Sequence, residues 1–304
     1  MDGILVIGSL NMDMVIHVAE IPKVGQTLLG RLQGYVPGGK GANQAYAAGR
    51  LSRTRDAVTM LGAVGDDELG AKLKNNLAGA GVNTEKIATA KSVGSGLAVI
   101  HVNRAGNNSI TVLPGANFEC GEAFIRRNEA LISANKIILL QMEIPPEAVF
   151  EAIRLGKKHG CTVILNPAPA PENILDEILG LIDFITPNES ELEAIAGLPV
   201  TDDHTAAAAA EKLLCKGVKN VIATLGKNGA LHMSSGAPAA FYGVEDVKRV
   251  DTTAAGDTFN GAFAVGLLEG MSVAEAICFA NKAATICVTR PGAQSSIPSR
   301  KEIS

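Results

Sequence analysis

The feature that most constrains the fold is an alternation of short apolar runs with longer helical segments. The apolar runs end in Gly, Pro or polar residues and lie at 4–8, 58–65, 136–143, 162–169, 182–188 and 220–226. Helical segments between several of them lie at 42–51, 67–81, 145–160 and 205–218. Strands that are apolar throughout, with helices between them, are typical of a parallel sheet covered on both faces. The alternation therefore predicts an α/β fold with a mostly parallel central sheet.

Two segments, at about 12–36 and 94–113, break this alternation. Residues 12–36 alternate apolar with polar side chains. Residues 94–113 have the pattern of a hairpin whose turn is "RAGNN". Both patterns are antiparallel in character, so they predict either two surface hairpins or one small sheet that lies beside the main domain as a lid. No linker or internal repeat interrupts the chain, and residues 1–304 are predicted to form one domain.

Composition excludes several classes of partner. Aromatic residues make up only 4% of the 304 residues, Trp is absent and the net charge is −4, which argues against nucleic-acid binding. No apolar run reaches membrane-spanning length, and the first residues lack the basic region of a signal peptide. The five cysteines are scattered without a CxxC pair, as expected for reduced thiols. These observations predict a cytoplasmic protein without membrane or nucleic-acid partners.

The usual nucleotide-binding fingerprints are missing. No G-x-G-x-x-G occurs, which disfavours a dinucleotide-binding fold. The segment 34–41, "GYVPGGKG", fits the start of a P-loop, but Gly41 stands where a Ser or Thr would hold Mg²⁺. The segment also follows the antiparallel stretch and not a core strand. We therefore reject it as a P-loop.

Two glycine-rich segments, "PGGKGANQAYAAG" (37–49) and "DTTAAGDTFNGAF" (251–263), each lead into a predicted helix. The first N–H groups of a helix lack partners within the helix, and small residues before them let a ligand approach the backbone. Such a helix start binds anions, most often phosphate. Close packing of helices also requires small residues, and for either segment alone the two interpretations have equal weight.

For the segment 251–263, Asp257 favours anion binding over close helix packing. A carboxylate in the first turn of a helix also serves as an N-terminal charge or cap. Beside an anion site, however, it has the position of a base: the N–H groups of Ala254, Ala255 and Gly256 hold a phosphoryl group while Asp257 accepts a proton from the attacking hydroxyl. Phosphoryl transfer depends mainly on such positioning and charge neutralisation.

Polar groups at the ends of predicted strands supply the other half of a site. Asp13 lies near the first strand and Glu143 ends the run "ILLQME", where ligands bind in open α/β sheets. Lys40 and Asn43 add donors from the first glycine-rich segment. For each of these residues alone, a turn or capping role is the alternative.

The two glycine-rich segments resemble the two signature motifs of the ribokinase family of sugar kinases, in the same N-to-C order. "GSLNMD", "LNPAPA", "ITPNESE", "TLGKNGA" and "VTRPGAQSSIP" are also similar to that family and extend the match over nearly the whole chain. The resemblance implies a three-layer α/β/α sandwich with a small antiparallel β-lid. It implies ATP-dependent phosphorylation of D-ribose at O5, giving ribose 5-phosphate and ADP, with Mg²⁺ and an activating monovalent cation such as K⁺. It also implies a homodimer formed through the lid.

The resemblance also implies roles for individual residues. Asp257 is the base, and the backbone amides of residues 254–257 form the anion hole. The residues implied to contact ribose are Asn11, Asp13, Gly39, Lys40, Gly41, Ala42, Asn43, Glu143 and Asp257. Those implied to bind the nucleotide are Asn188, Thr224, Leu225, Gly226, Lys227, Asn228, Gly229, Gly256 and Asn281. Those implied to hold the monovalent cation, several through backbone carbonyls, are Asp251, Thr253, Cys287, Arg290, Gly292 and Ser296. Glu191 is implied to lie near Mg²⁺ and to act through water.

Alternatives to this function remain at the level of sequence. A kinase for deoxyribose, adenosine or fructose would carry the same signatures. A sugar or nucleotide sensor on the same fold would not need a base at Asp257. In a purely structural oligomer, the glycines would serve packing alone.

Overall fold

The strands form two sheets within residues 3–303, the part of the chain that the structure, a computed structural model, describes. The central sheet contains β1 (Ile4–Ile7), β4 (Val58–Gly65), β5 (Val82–Asn83), β6 (Ile87–Ala90), β9 (Ile137–Leu140), β10 (Thr162–Leu165), β11 (Phe184–Ile185), β12 (Asn220–Thr224), β13 (Ala230–Ser234) and β14 (Ala240–Tyr242). The second sheet contains β2 (Asn11–His17), β3 (Arg31–Gly38), β7 (Gly96–Val102) and β8 (Asn108–Leu113).

The central sheet runs in the order β14-β13-β12-β11-β10-β9-β1-β4-β5, with β6 paired to β4. Its strands are parallel from β12 to β5, and only the pairs β12–β13 and β13–β14 are antiparallel. The sheet is therefore mostly parallel, as the alternation of apolar runs and helices predicts.

Helices cover both faces of this sheet. They are α1 (Lys40–Leu51), α2 (Glu68–Gly79), α3 (Glu122–Arg127), α4 (Glu129–Ser133), α5 (Pro146–Lys158), α6 (Asp176–Leu179), α7 (Glu189–Ala196), α8 (Asp203–Cys215), α9 (Ala255–Leu268), α10 (Val273–Cys287) and α11 (Arg300–Ile303). Short 3₁₀ helices lie at Gly115–Glu119, Gly226–Asn228 and Gln294–Ser296. None of the helices in this part of the chain is long and apolar enough to cross a bilayer.

Successive side chains of the central strands enter two separate hydrophobic cores. In β1, Leu5 and Ile7 pack in a core with α5 and α8, whereas Ile4 and Val6 pack in a core with α1, α2, α9 and α10. Side chains of a strand point alternately to its two faces, so a strand buried on both faces is apolar throughout. The arrangement is the expected three-layer α/β/α sandwich.

The second sheet has the order β3-β2-β7-β8. Its outer pairs, β2–β3 and β7–β8, are antiparallel, as the residue patterns predict. The inner pair differs from an all-antiparallel lid, because β2 and β7 run parallel from Asn11–Gly96 to His17–Val102. The two pairs therefore join into one sheet and do not form separate surface hairpins. Strand β8 is exposed along its whole length.

Candidate active site

The starts of helices α1 and α9 meet at Asp257. This residue lies in the first turn of α9, and only 8% of its surface is exposed. Asn43 Nδ2 donates to its Oδ2 (2.9 Å), and Gln44 Nε2 donates to its Oδ1 (3.0 Å). Burial raises the pKa of Asp257, although Lys40 and the two amide donors act in the opposite direction. The structure thus places a buried carboxylate of the second glycine-rich segment in contact with side chains of the first.

The start of α1 does not present free N–H groups. The N–H of Lys40 donates to Glu143 Oε2 (2.9 Å). The next two donate to Oγ (3.3 Å) and O (2.8 Å) of Ser9, and that of Asn43 donates to the backbone of Gly39 (2.8 Å). A Cβ at Gly41 would lie 2.5 Å from the backbone nitrogen of Ser9. Of the two interpretations of the first segment, close packing is therefore the one that the structure supports, and an anion site at this helix start is not supported.

The start of α9 is different. Within residues 3–303, the N–H groups of Gly256 and Asp257 donate no hydrogen bond, and a Cβ at Gly256 would meet no atom within 4 Å. Ala254 has a left-handed backbone (φ 59°) and begins the helix. The N–H of Ala255 donates to the carbonyl of Thr252 (3.3 Å). This N–H group is therefore not available to an anion, contrary to the sequence prediction. The helix itself thus offers two unpaired N–H groups beside a carboxylate, and the N–H of Ala254, just before the helix, also donates no hydrogen bond within residues 3–303.

A cavity of about 530 Å³ opens beside this helix start. Of the residues predicted to bind the nucleotide, those that line it are Asn188, Thr224, Gly226, Lys227, Gly229, Gly256 and Asn281. The predicted residues Leu225 and Asn228 do not line it. Lining residues without a predicted role include Val244–Val247, Arg249 and Thr252, together with Ala284 and Thr285 of α10 and Val288, which follows this helix. Except for Thr252, which lies in the second glycine-rich segment, these residues belong to segments without a fingerprint that would have marked them as part of a cavity.

A cluster of charged side chains, Asp13, Lys40 and Glu143, lies close to Asp257. Burial, together with the charges of Glu143 and Asp257, raises the pKa of Asp13 to about 7. Burial disfavours the charged form of Lys40, yet the nearby carboxylates, of which Asp257 contributes most, hold its pKa above its usual value. Glu143 Oε2 also accepts from Ser9 Oγ (2.6 Å), so this residue holds the start of α1 in place. The cluster brings together Asp13, Lys40 and Glu143. Only Glu143 follows a strand of the central sheet, as the sequence predicts; Asp13 lies within β2 and not at the end of the first strand, and Lys40 begins α1.

Asn11 is fixed by a residue that the sequence analysis missed. Asn117 Nδ2 donates to Asn11 Oδ1 (2.7 Å), and Asn117 Oδ1 accepts from the backbone N–H of Leu10 (2.8 Å). The oxygen of the Asn11 amide therefore faces Asn117, and its NH₂ group remains for a ligand.

We expect Asp13→Asn to stabilise the protein in the absence of sugar, and to do so in a pH-dependent way. The pKa of Asp13 is raised from 3.8 to about 7 on folding, so ionisation of its carboxylate opposes folding progressively between pH 4 and 7 and fully above pH 7. The melting temperature of the variant should exceed that of the wild type most at pH 8, and the difference should vanish towards pH 4. Scanning fluorimetry at both pH values measures this, and a difference independent of pH would contradict the assignment.

The residues predicted to hold a monovalent cation come from three segments: the loop before α9, the end of α10 and the stretch up to the 3₁₀ helix Gln294–Ser296. Asp251 accepts from Thr253 with one oxygen and from the N–H of Gly292 with the other (2.9 Å). The thiol of Cys287 contacts Ser296 Oγ (3.0 Å) and the carbonyl of Thr253 (3.8 Å). Arg290 is the remaining predicted residue, and its side chain pairs with Glu302 (2.5 Å). Because a guanidinium group is itself positively charged, only the backbone carbonyl of Arg290 could bind a cation.

Asn188 and Glu191 begin helix α7 with a reciprocal capping box. Asn188 Oδ1 accepts from the N–H of Glu191 (2.9 Å), and Glu191 Oε2 accepts from the N–H of Asn188 (2.9 Å). Burial raises the pKa of Glu191. The local sequence "NESE" has the spacing of a capping box, and in the structure this pair fixes one edge of the cavity.

Comparison with known proteins shows the family of this chain. The model of the pfkB family of carbohydrate kinases matches residues 1–300. A ribokinase of Haemophilus influenzae is 44% identical over 98% of this chain and 95% of its own length, and a deoxyribokinase of Salmonella typhi is 40% identical over 97% and 95%. The structure of Arabidopsis thaliana ribokinase complexed with ribose and ATP is 33% identical, has a TM-score of 0.93 and covers 99% of this chain and 97% of that one. The chain belongs to the pfkB family of carbohydrate kinases.

Proposed function

We propose that this protein transfers the γ-phosphoryl group of ATP to O5 of D-ribose, giving D-ribose 5-phosphate and ADP. The observation that carries the proposal is the position of Asp257, a buried carboxylate beside two unpaired helix N–H groups. Its neighbour Gly256 lines the cavity, and the charged side chains of Asp13, Lys40 and Glu143 lie close to Asp257. The similarity to ribokinases over nearly the whole chain supports ribose as the acceptor and ATP as the donor. A non-catalytic sensor would not need this carboxylate.

In the proposed reaction, ribose lies in the polar cluster with O5 directed at Asp257. The predicted sugar contacts that have a free side-chain polar group in this cluster are Asn11, Asp13, Lys40 and Glu143, whose Oε1 accepts no hydrogen bond within residues 3–303. Oxygen O5 attacks the γ-phosphorus, its proton passes to the Asp257 carboxylate, and the bond from the γ-phosphorus to the bridging oxygen breaks to release ADP. The N–H groups of Gly256 and Asp257 stabilise the charge that develops on the transferring group.

The cavity beside α9 fits the nucleotide. Its volume of about 530 Å³ lies in the range of small-molecule sites, and the open space at Gly256 lets phosphate oxygens reach the backbone. A Mg²⁺ ion supplied with ATP would neutralise charge on the phosphates. We place it near Asn188 and Glu191, which begin helix α7 at the edge of the cavity.

We also propose that a monovalent cation, such as K⁺, binds in the loops at 251–253 and 287–296. Asp251 would supply negative charge there, and its contact with the N–H of Gly292 brings the two loops together, so that backbone carbonyls of both could bind the ion. Because this region contacts the start of α9, an ion there would hold the anion-binding N–H groups in place. We expect activity to fall when K⁺ is replaced by tetramethylammonium at constant ionic strength, and an unchanged initial rate would remove the cation from the mechanism.

We propose further that residues 1–304 act as one domain, that the second sheet is its lid, and that two copies associate through the lids. The sheet exposes a group of large apolar side chains, Leu32, Tyr35, Ile110, Val112 and Leu113, as expected of a surface that pairs with another protein. All five cysteines carry free thiols, and we propose the reducing cytoplasm as the site of action.

A coupled assay of ADP release over ribose, deoxyribose, fructose and adenosine tests the proposed function. We expect the highest kcat/KM with ribose. Deoxyribose is the second candidate, because a relative that is 40% identical is a deoxyribokinase. A preference for deoxyribose would change the substrate but keep the chemistry, and no release with any acceptor would contradict the proposal.

A further inference from the structure

Asp257 lies where two chains of buried side-chain amides meet. The first chain runs from Gln141, whose Nε2 donates to Gln44 Oε1 (2.6 Å), to Gln44, whose Nε2 donates to Asp257 Oδ1 (3.0 Å). Both glutamines are fully buried. Gln44 Nε2 also donates to Asn166 Oδ1 (3.0 Å), so both hydrogens of its NH₂ group and its oxygen are used.

The second chain reaches the other oxygen of the carboxylate. Asn76 donates to Gln294 Oε1, Gln294 Nε2 donates to Asn43 Oδ1 (3.0 Å), and Asn43 Nδ2 donates to Asp257 Oδ2 (2.9 Å). Gln294 lies in the short 3₁₀ helix Gln294–Ser296 and is buried. The two chains approach the carboxylate from different parts of the fold.

Both chains have one direction. An ionised carboxylate only accepts hydrogen bonds, so the amides next to it must turn their NH₂ groups towards it and their oxygens away. Each outer amide must then present its own NH₂ group to that oxygen. The orientation of Gln141 and of Gln294 is therefore set by the charge on Asp257, and they in turn prevent Gln44 and Asn43 from rotating.

At the outer end of the first chain, this orientation leaves the oxygen of Gln141 without a hydrogen bond. Gln141 Oε1 is buried and has no hydrogen-bond partner among residues 3–303, which is unfavourable for a polar atom. A Cβ at Gly8 would lie 2.0 Å from this oxygen, so the site has no room for a side chain that could satisfy it. Rotating the amide would not pair this oxygen, because it would turn the oxygen towards Gln44 Oε1 and break the hydrogen bond between Gln141 and Gln44.

We propose that these two amide chains fix the orientation and the ionised form of Asp257, and that Gln44 and Gln294 are positioning residues for the phosphoryl transfer. The inference rests on the proposed role of Asp257 as the base. Neither glutamine lines the cavity, and both act through the carboxylate or through Asn43. A carboxylate held from both sides keeps one lone pair directed at the incoming hydroxyl, so the proton transfers without reorientation.

Charged and titratable groups also face Asp257 from several elements. They are Lys40 of α1, Asp13 of β2, Glu143 after β9, Glu191 of α7 and Cys287 of α10. Three of them are acids that favour the protonated form of Asp257, and their effect changes with pH. The amides are neutral at every pH, so they favour the ionised form throughout.

The variant Gln44→Met tests the proposal. It keeps most of the volume and removes the donor to the charged carboxylate, so Asp257 should lose its proton only at higher pH. We expect the acid limb of the kcat–pH profile to move up by about one pH unit, kcat at pH 7 to fall about tenfold, and the KM for ribose to change less than about threefold. A purely structural residue would leave the acid limb where it is.

Gln141→Met provides a second variant, since it removes the outer donor together with the unpaired oxygen and should fold well. Its acid limb should move in the same direction by a smaller amount. Leu213→Ala, in α8 on the other face of the sheet, is the control: it should lower the melting temperature without moving the limb. An acid limb of the kcat–pH profile that stays at the wild-type pH in both glutamine variants would overturn the inference. If Gln44→Met does not fold, the same result in Gln141→Met alone would overturn it. Turnover by Asp257→Asn at the wild-type rate would instead overturn the proposed function.

Discussion

Asp257→Asn is expected to lower kcat by about 10²–10⁴-fold, the usual contribution of a positioned general base. Asn has nearly the same shape but cannot accept the proton of the attacking hydroxyl. The KM for ribose should remain close to that of the wild type, because the loss lies in the transition state and not in ground-state binding. Steady-state kinetics with ribose binding measured by calorimetry separates the two effects.

The stability of this variant is also constrained by the structure. Asn43 and Gln44 both direct NH₂ groups at residue 257, and an Asn there can accept only one of them well. We expect the free energy of unfolding to fall by about 1–3 kcal/mol because one NH₂ donor is left unpaired. Removal of a buried charge should offset part of this loss. Asp203→Asn is the matched control, since Asp203 lies in the first turn of α8 and is exposed. Near-normal kcat in Asp257→Asn would exclude Asp257 as the base.

Gly261→Ala is expected to destabilise the protein by about 1–3 kcal/mol or more. Gly261 lies in α9 where this helix packs against α1, and a Cβ there would lie 2.6 Å from the carbonyl oxygen of Gln44 and 2.8 Å from the nitrogen of Ala48. Both are backbone atoms, so the two helices must separate. Because Asn43 and Gln44 belong to α1, the shift should also pull their amides from Asp257 and lower kcat. Urea unfolding and kinetics measure both effects.

Gly79→Ala is the matched control for this prediction. Gly79 ends helix α2, and a Cβ there would meet no atom within 4 Å. The substitution should leave kcat unchanged and stabilise the protein by up to about 1 kcal/mol, since Ala loses less conformational freedom than Gly in a helix. Equal effects of the two substitutions would show that the close contact of α1 with α9 does not matter.

The central sheet was predictable because burial on both faces leaves a local signature. Strands β1 and β9 consist of Ile, Leu and Val alone, so each can be recognised without knowing its neighbours. The parallel pairing of β2 with β7 has no such signature. It joins segments about 85 residues apart, and which strands become neighbours is decided by the tertiary fold.

The site was predictable to the extent that its residues adjoin a helix start. The small residues before Asp257 predict an open N-terminus, and the structure has unpaired N–H groups there. The segment before α1 has the same local pattern, but Glu143 and Ser9 occupy its N–H groups. Whether such a helix start is open or closed depends on distant residues, so the local pattern leaves both interpretations possible.

The amides that hold Asp257 were missed for a related reason. Gln44 and Gln141 lie in an Ala-rich helix and after an apolar strand, where a single polar residue has no distinctive spacing. Their role follows only from their position beside the carboxylate. Neighbouring positions on α1 show the difference: both lie in the first glycine-rich segment, but the resemblance assigns a role to Asn43 only, and the role of Gln44 was identified from the structure.

The most direct test of the central claim is ³¹P NMR of the reaction of the purified protein with ATP, Mg²⁺, K⁺ and D-ribose. We expect one equivalent of ribose 5-phosphate for each ADP formed, with the phosphorus coupled to the two protons on C5, and no such product with Asp257→Asn. Phosphorylation at another hydroxyl, ADP without sugar phosphate, or equal product from the variant would contradict it.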